Sequence, residues 1–260
     1  MANEQLIRIS CFCLVLALVA VWEIIAPRRP LTDSKPRRWF TNLSLVAINT
    51  AAARFLLPLL PVGMAVLTAG QGRGLLPSMP LPFWVKTVVA IIVLDFVIYL
   101  QHVLFHFIPV LWRLHRMHHS DLDLDVTTGN RFHPLEIIIS MGIKLAAVTV
   151  LGAPATAVLL FEVILNATSQ FNHGNIRIPA AVDRWLRLTV VTPDMHLVHH
   201  SVIPRETNSN FGFNLPWWDR LCGTYRARPE AGQSGMVIGL KEYRDPALLS
   251  LGRLLLQPFR

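Results

Sequence analysis

Apolar residues in this chain come in long unbroken runs, not in the alternating or three-four spacing of a half-buried soluble element, and such runs predict membrane helices. Residues 7–26 are apolar for about twenty positions, enough to cross roughly 30 Å of hydrocarbon. Trp22 and Glu23 stand where a cleaved signal peptide would need small residues, so this run is expected to stay as an anchor. A second run, 40–68, should be bent by Pro58 and Pro61; its one charge, Arg54, is expected to snorkel or to be paired. A third covers 81–107. Two shorter runs, 135–151 and 154–169, are split by Gly152, Ala153 and Pro154 and predict a membrane hairpin. The fold class expected is all-α: a multi-span integral membrane helical protein.

The polar punctuation orients these runs. Residues 28–38 carry five positive charges (Arg28, Arg29, Lys35, Arg37, Arg38), which places that loop in the cytoplasm. Residues 71–78 carry only Arg73 and fit the outer side. Composition agrees, with 53% hydrophobic and only 15% charged residues. The net charge of +8 does not imply nucleic acid, because no basic run is interleaved with stacking aromatics and the cations gather beside apolar spans. Cys11, Cys13 and Cys222 offer neither a disulfide framework nor a thiolate metal site.

The chemistry lies in the histidines. Five of the ten fall within residues 102–119: His102, His106, His115, His118 and His119. On a helix, i and i+4 share a face, so His102 and His106 project together, and His115 is flanked by His118 and His119. His196, His199 and His200 repeat the H-x-x-H-H phrase, and His173 ends the hairpin at the depth of His106. All of these reach one side of the bilayer, as a cytoplasmic histidine-rich cap. So many imidazoles exceed what one ion needs, and two ions with four or five each would use them. Imidazole suits Fe, Zn, Cu and Ni alike, so the metal's identity has to come from other signs. His133 is open between a ligand and a hydrogen-bonding residue near a helix start. Asp95, two turns before His102, is expected to orient an imidazole or to pair with Arg54. The acids of 121–125 are expected to be solvated, Trp217 and Trp218 to lie on the membrane over the site, and 241–260 to form a surface helix with a basic end.

The phrases H-VLF-H, H-RM-HH and H-LV-HH, with RFHPLE, NHGN and NFGFNLPWWDRLCGTY placed between and after them, resemble the fatty acid hydroxylase and sterol desaturase superfamily. The resemblance covers about half the chain, roughly residues 94–226. It implies an O2-dependent, non-haem di-iron oxidoreductase that hydroxylates or desaturates a C–H bond of a fatty acyl, sterol or related membrane lipid. By position it carries metal-ligand roles to His102, His106, His115, His118, His119, His173, His196, His199 and His200. Some members have a further His where this chain has Ser169, which makes His133 the candidate to supply that ligand. Cys222 replaces a frequent aromatic, a departure that bears on substrate preference.

The implied cofactor is two Fe ions, with Zn able to replace them in purified protein. No cytochrome b5 or ferredoxin pattern accompanies the histidines, so electrons are expected from a separate donor of one of those kinds, docking on the basic face. The organisation expected is anchor spans over 1–80, a catalytic domain over 81–226 and a C-terminal surface segment over 227–260. Short loops and the lack of an ER-retrieval signal point to a bacterial inner membrane. A membrane zinc hydrolase is the main alternative, but no cluster carries the Glu of H-E-x-x-H. A transporter would need ionisable groups midway through its spans, where only Arg54 and Asp95 qualify.

Overall fold

The apolar runs form helices, and the prolines decide where they stop. The computed structural model describes residues 3–260, and its elements are helices joined by irregular segments, with two isolated bridge pairs. The first eight helices are α1 (Glu4–Ile25), α2 (Lys35–Leu56), α3 (Pro61–Gly70), α4 (Leu75–Ser78), α5 (Phe83–Phe107), α6 (Pro109–His119), α7 (Pro134–Leu151) and α8 (Ala155–Asn172). Four stretches are long and apolar enough to cross a membrane: Glu4–Ile25, Lys35–Ser78, Phe83–Phe107 and Pro134–Leu151. Their outward faces are oily, as lipid contact requires: α1 exposes Leu6, Ile9, Leu14 and Leu18.

The second stretch is broken, where a bend was expected. Leu57 precedes Pro58 and is extended (φ −107, ψ 124), and Pro61 then opens α3. α7 closes on Gly152 at φ +60, where an added Cβ would lie 2.4 Å from the Arg73 carbonyl; the close approach of residues 73–77 needs a glycine there. The expected hairpin of α7 and α8 forms, but α8 differs from the other long helices. It carries Glu162 and polar residues through its last two turns (Asn166, Thr168, Ser169, Gln170, Asn172), and it falls outside the four apolar stretches. It can be this polar because it packs against α1, α3 and α5, within the bundle. Glu162 accepts from Lys144 of α7 at 2.9 Å and from Arg8 of α1 at 2.5 Å, so the charge is paired from two neighbouring helices. The apolar core lies between α3, α5, α7 and α8, around Ala90, Leu94, Val148, Ala157 and Phe161.

Two sequence expectations about the cap are corrected. Lys35, Arg37 and Arg38 are not loop residues; they form the first turn of α2, and Arg38 is buried. The acids after His119 are not solvated. Asp121, Asp123 and Asp125 are 1%, 5% and 0% exposed. The two facts explain each other: Arg38 bonds Asp121, Asp125 (3.0 Å) and the Thr128 hydroxyl (3.1 Å), while Asp123 receives the Thr32 and Asp33 amides at 2.9 Å. Burial alone would raise Asp121, but Arg38 and Arg131 hold it below its ordinary value. Glu23, the residue that argued against a cleavage site, accepts from the Val126 and Asn175 amides (2.7 and 3.0 Å) and pairs with Lys35 (3.0 Å). The connection between α1 and α2 is thus stitched onto the histidine-bearing segments.

The C-terminal segment is packed, where a surface helix was expected. Leu249 and Leu254 join Leu45, Met117 and Leu122 in one cluster, and Arg116 donates to the Gln257 carbonyl at 2.6 Å. Replacing Arg38 by Leu strands two carboxylates in the interior, and breaking a buried pair from one side costs about 3–5 kcal/mol. The variant should therefore melt at a markedly lower temperature than the parent protein, which thermal unfolding in detergent will measure.

Candidate metal centre

Four helices bring the histidines together, and helical periodicity sorts them. α5 supplies His102 and His106, α6 supplies His115, His118 and His119, and α8 ends on His173. After α9 (Ala180–Leu186), α10 (Pro193–His199) supplies His196 and His199 and is capped by His200. On α6 the i, i+4 pair His115 and His119 turns one way and His118 the other; on α10 the i, i+4 pair is His196 and His200, with His199 opposite. The outcome is two groups whose ligand atoms lie within 4.8 Å of one another: His102, His106, His115, His119 and His199 in one, His118, His173, His196 and His200 in the other. The groups adjoin, with His119 and His200 stacked at 4.6 Å between ring centroids.

Six rings have Nδ1 tied to an acceptor outside the groups. His102 meets the Phe211 carbonyl (2.7 Å), His106 the Asn208 side-chain oxygen (3.1 Å), His115 the Glu136 carboxylate (2.6 Å) and His118 the Arg131 carbonyl (3.3 Å). His173 meets the Ser169 carbonyl and His199 the Ser209 carbonyl, both at 2.7 Å. A carbonyl can only accept, so each of these Nδ1 atoms carries the proton and each Nε2 lone pair points inward.

In the four-histidine group, Nε2 atoms lie 3.1 Å apart for His118 and His173, 3.0 Å for His173 and His196, and 3.3 Å for His196 and His200. An ion with nitrogen ligands at 2.0–2.1 Å in a tetrahedron needs neighbouring nitrogens about 3.3 Å apart. In the other group the Nε2 atoms of His106, His119 and His199 are buried with no hydrogen-bond partner. Converging buried lone pairs are costly unless a cation satisfies them, so both groups fit a metal ion held by imidazole. Phe211 lies against His102, His106 and His199, and Phe132 stacks on His118 at 4.6 Å, which keeps water off the rings.

His133 stands apart from both groups. It caps α7, its Nδ1 accepting from the Leu135 amide (3.2 Å) and its Nε2 facing the Leu255 carbonyl (3.2 Å), so neither nitrogen is free. At Ser169 the backbone carbonyl holds His173, while the hydroxyl donates to Gly129 (2.8 Å). Asp95 touches no imidazole, and Arg54 is exposed at the end of α2; Asp95 receives the Trp218 indole N–H at 2.7 Å and the Leu215 amide at 3.3 Å. Trp218 therefore sits beside α5 at the level of Asp95, two helical turns from His102, and does not lie over the site. The orienting role expected of Asp95 is filled by Glu136, which the sequence reading passed over. Its signal was the spacing in RFHPLE: three residues after the α7 cap, a glutamate lies in the first helical turn and points back towards α6.

Burial pushes His118, His119, His196, His199 and His200 well below the ordinary histidine value, with neighbouring imidazoles adding to it. The folded chain therefore keeps these rings neutral while the unfolded chain protonates near pH 6.5, so stability present above that pH is lost on acidification. The loss reaches about 1.4 kcal/mol per shifted group per pH unit. Metal-free protein should melt at a markedly lower temperature at pH 5.5 than at pH 7.5, and equal melting temperatures would contradict the buried neutral set. Glu136→Gln leaves every inward nitrogen in place but weakens the partner of His115. Metal affinity of the five-histidine group should fall about 10- to 100-fold, read by chelator competition.

Residues 87–224 match a family model described as fatty acid hydroxylase. Among curated proteins, an ornithine lipid hydroxylase of Rhizobium tropici is 26% identical over 230 residues, covering 85% of this chain and 68% of the relative. The alkylglycerol monooxygenases of Xenopus tropicalis and Homo sapiens are 26% and 27% identical over 148 residues, 55% of this chain and 31% of each relative. The chain spans about a third of the length of those two. No solved structure matches.

Proposed function

The chain belongs to the fatty acid hydroxylase family, and we propose that it is a membrane-bound di-iron oxygenase that inserts one oxygen atom from O2 into a C–H bond of a membrane lipid. The observation that carries the reading is the set of Nδ1 hydrogen bonds that turns Nε2 lone pairs inward within two adjoining groups. His102, His106, His115, His119 and His199 would hold one iron, and His118, His173, His196 and His200 the other. Iron in that place supplies the activation of O2 and the attack on an unreactive C–H bond, chemistry that no side chain here performs unaided.

The chain's own residues do the rest. Backbone carbonyls and Glu136 fix the rings, Phe132 and Phe211 exclude water, and the intramembrane helices offer the lipid a dry, apolar approach. Relatives named as a hydroxylase and as monooxygenases support oxygen insertion over desaturation. The zinc-hydrolase alternative needs a carboxylate base beside the attacked atom; Glu136, the carboxylate that reaches an imidazole, is bound on the outer nitrogen of His115. Electrons would come from a separate cytochrome b5-like or ferredoxin donor. The positive-inside pattern supports a cytoplasmic cap in a bacterial inner membrane, which cysteine labelling near His119 and at residues 71–73 tests from the two sides.

Two measurements decide the activity. Purified protein should hold about two metal ions per chain, with zinc partly replacing iron on overproduction. Lipid extracts from cells with and without the chain, grown under 18O2, should differ by a lipid that has gained one labelled oxygen. Loss of two hydrogens without label would make it a desaturase, and an unchanged lipid profile with folded, metal-replete protein would overturn the oxygenase reading.

A further inference from the structure

The segment after the last histidine cluster, residues 210–225, contributes no imidazole, yet its acid is among the most deeply buried in the chain. Asp219 lies in the short helix Trp217–Leu221 and is 0% exposed. Its carboxylate accepts from the Phe211 amide (2.8 Å), the Gly212 amide (2.9 Å) and the Thr224 hydroxyl (2.7 Å). The Gly212 N–H and the Phe211 C=O are two ends of one peptide group, and that carbonyl accepts the Nδ1 proton of His102 at 2.7 Å. Carboxylate, peptide and imidazole therefore stand in series.

We propose that Asp219 is a positioning residue for the five-histidine metal group, acting on His102 through the 211–212 peptide. A carboxylate on the N–H side of an amide polarises it and strengthens the hydrogen bond that its carbonyl accepts. A ligand imidazole with a stronger partner on Nδ1 is better oriented and more basic at Nε2. Glu136 does this for His115 by direct contact; Asp219 does it for His102 across one amide. Gly212 is part of the device, since a Cβ there would meet Asp219 Oδ2 at 2.9 Å and the Leu215 carbonyl at 2.8 Å.

The same turn serves a second ligand. Asn210 holds a left-handed backbone (φ 53), fastened by its side chain to the Met195 and Arg226 carbonyls at 2.8 and 2.9 Å, and the preceding Ser209 carbonyl receives His199. A second carboxylate contact of the segment, Asp95 with Trp218 and Leu215, does not touch the 211–212 peptide.

The inference rests on the reading of the five-histidine group as a metal site, and the test separates the two. Cobalt(II) is loaded into detergent-purified protein, its retention measured by chelator competition and its visible bands recorded. Asp219→Asn keeps the side-chain shape but replaces an acceptor by a donor, and should weaken retention in this group about 10- to 100-fold while the four-histidine group keeps its cobalt. In a His102→Ala background the same substitution should cost under about twofold, because its route to the metal is already gone. Asp95→Asn should leave retention as in the parent. The proposal is overturned if Asp219→Asn costs as much without His102 as with it, which is the signature of a general structural role, or if retention does not change at all. No effect of His102→Ala alone would overturn the metal reading beneath it. Should Asp219→Asn not accumulate as folded protein, Asp219→Glu, which displaces the carboxylate by one methylene, enters the same cycle with the same criteria.

Discussion

A buried imidazole has two nitrogens and cannot leave either unsatisfied cheaply, and nine of them packed into one dry space make that constraint the organising fact of this protein. Tying the outer nitrogen to a carbonyl or carboxylate commits the inner one to a lone pair, and lone pairs that converge call for a cation. The surrounding architecture can be understood as what is needed to place those outer partners. The Arg131 carbonyl reaches His118 because Arg131 is anchored on Asn42, Met117 and Ser120. The Ser169 carbonyl meets His173 one turn on within α8, and Gly129 lets that turn pack against the loop after α6, where a Cβ would stand 2.4 Å from the same carbonyl.

Charge is handled by the same rule, in a second ring outside the first. Asp121 and Asp125 close on Arg38, Glu23 on Lys35 and two amides, and Asp194 on Arg28 at 2.7 Å. These pairs join the end of α1 and the start of α2 to the loop after α6, the turn after His173 and the first turn of α10, next to His118, His173 and His196. A buried ion pair adds little net stability over a well-packed apolar one, but it punishes any other arrangement heavily. Placed here, it fixes which helix turn meets which loop, and so fixes the ring positions that the metal groups require.

How far this was legible in the sequence follows from the range of the interactions. The histidine clusters could be read because i, i+4 spacing on a helix is local, and the sorting of His115 and His119 away from His118 is a consequence of 3.6 residues per turn. The membrane helices were readable for the same reason. Asp95 lies two turns from His102 on one helix, which points to an imidazole or to Arg54 as its partner, yet it is held by Trp218, over a hundred residues away. Glu136, only three residues past the α7 cap, was overlooked because its target belongs to another helix. On its own the basic run at 28–38 reads as a topology signal and the acids of 121–125 as a solvated loop. Each reading was reasonable alone, and only their meeting across the cap shows that they neutralise each other.

The two sides of the site are built of different material, which bears on how a lipid oxygenase could be supplied. On one side, Phe213 packs against the intramembrane core while its ring lies 5.0 Å from His102 and 6.3 Å from His196, so one aromatic side chain touches both metal groups and the membrane core. On the other, a narrow cleft of about 20 Å³ reaches His173 from under the α1–α2 connection, where Arg28, Arg29, Asp123 and Asp194 stand among Leu31, Leu124, Leu197 and Ile238. An acyl chain is at home against the first wall, whereas the second has room for about one water and carries four charged side chains. On the oxygenase reading proposed above, an oily wall and a small polar cleft at different faces of the histidine groups would let apolar substrate and polar reactants approach without sharing a path.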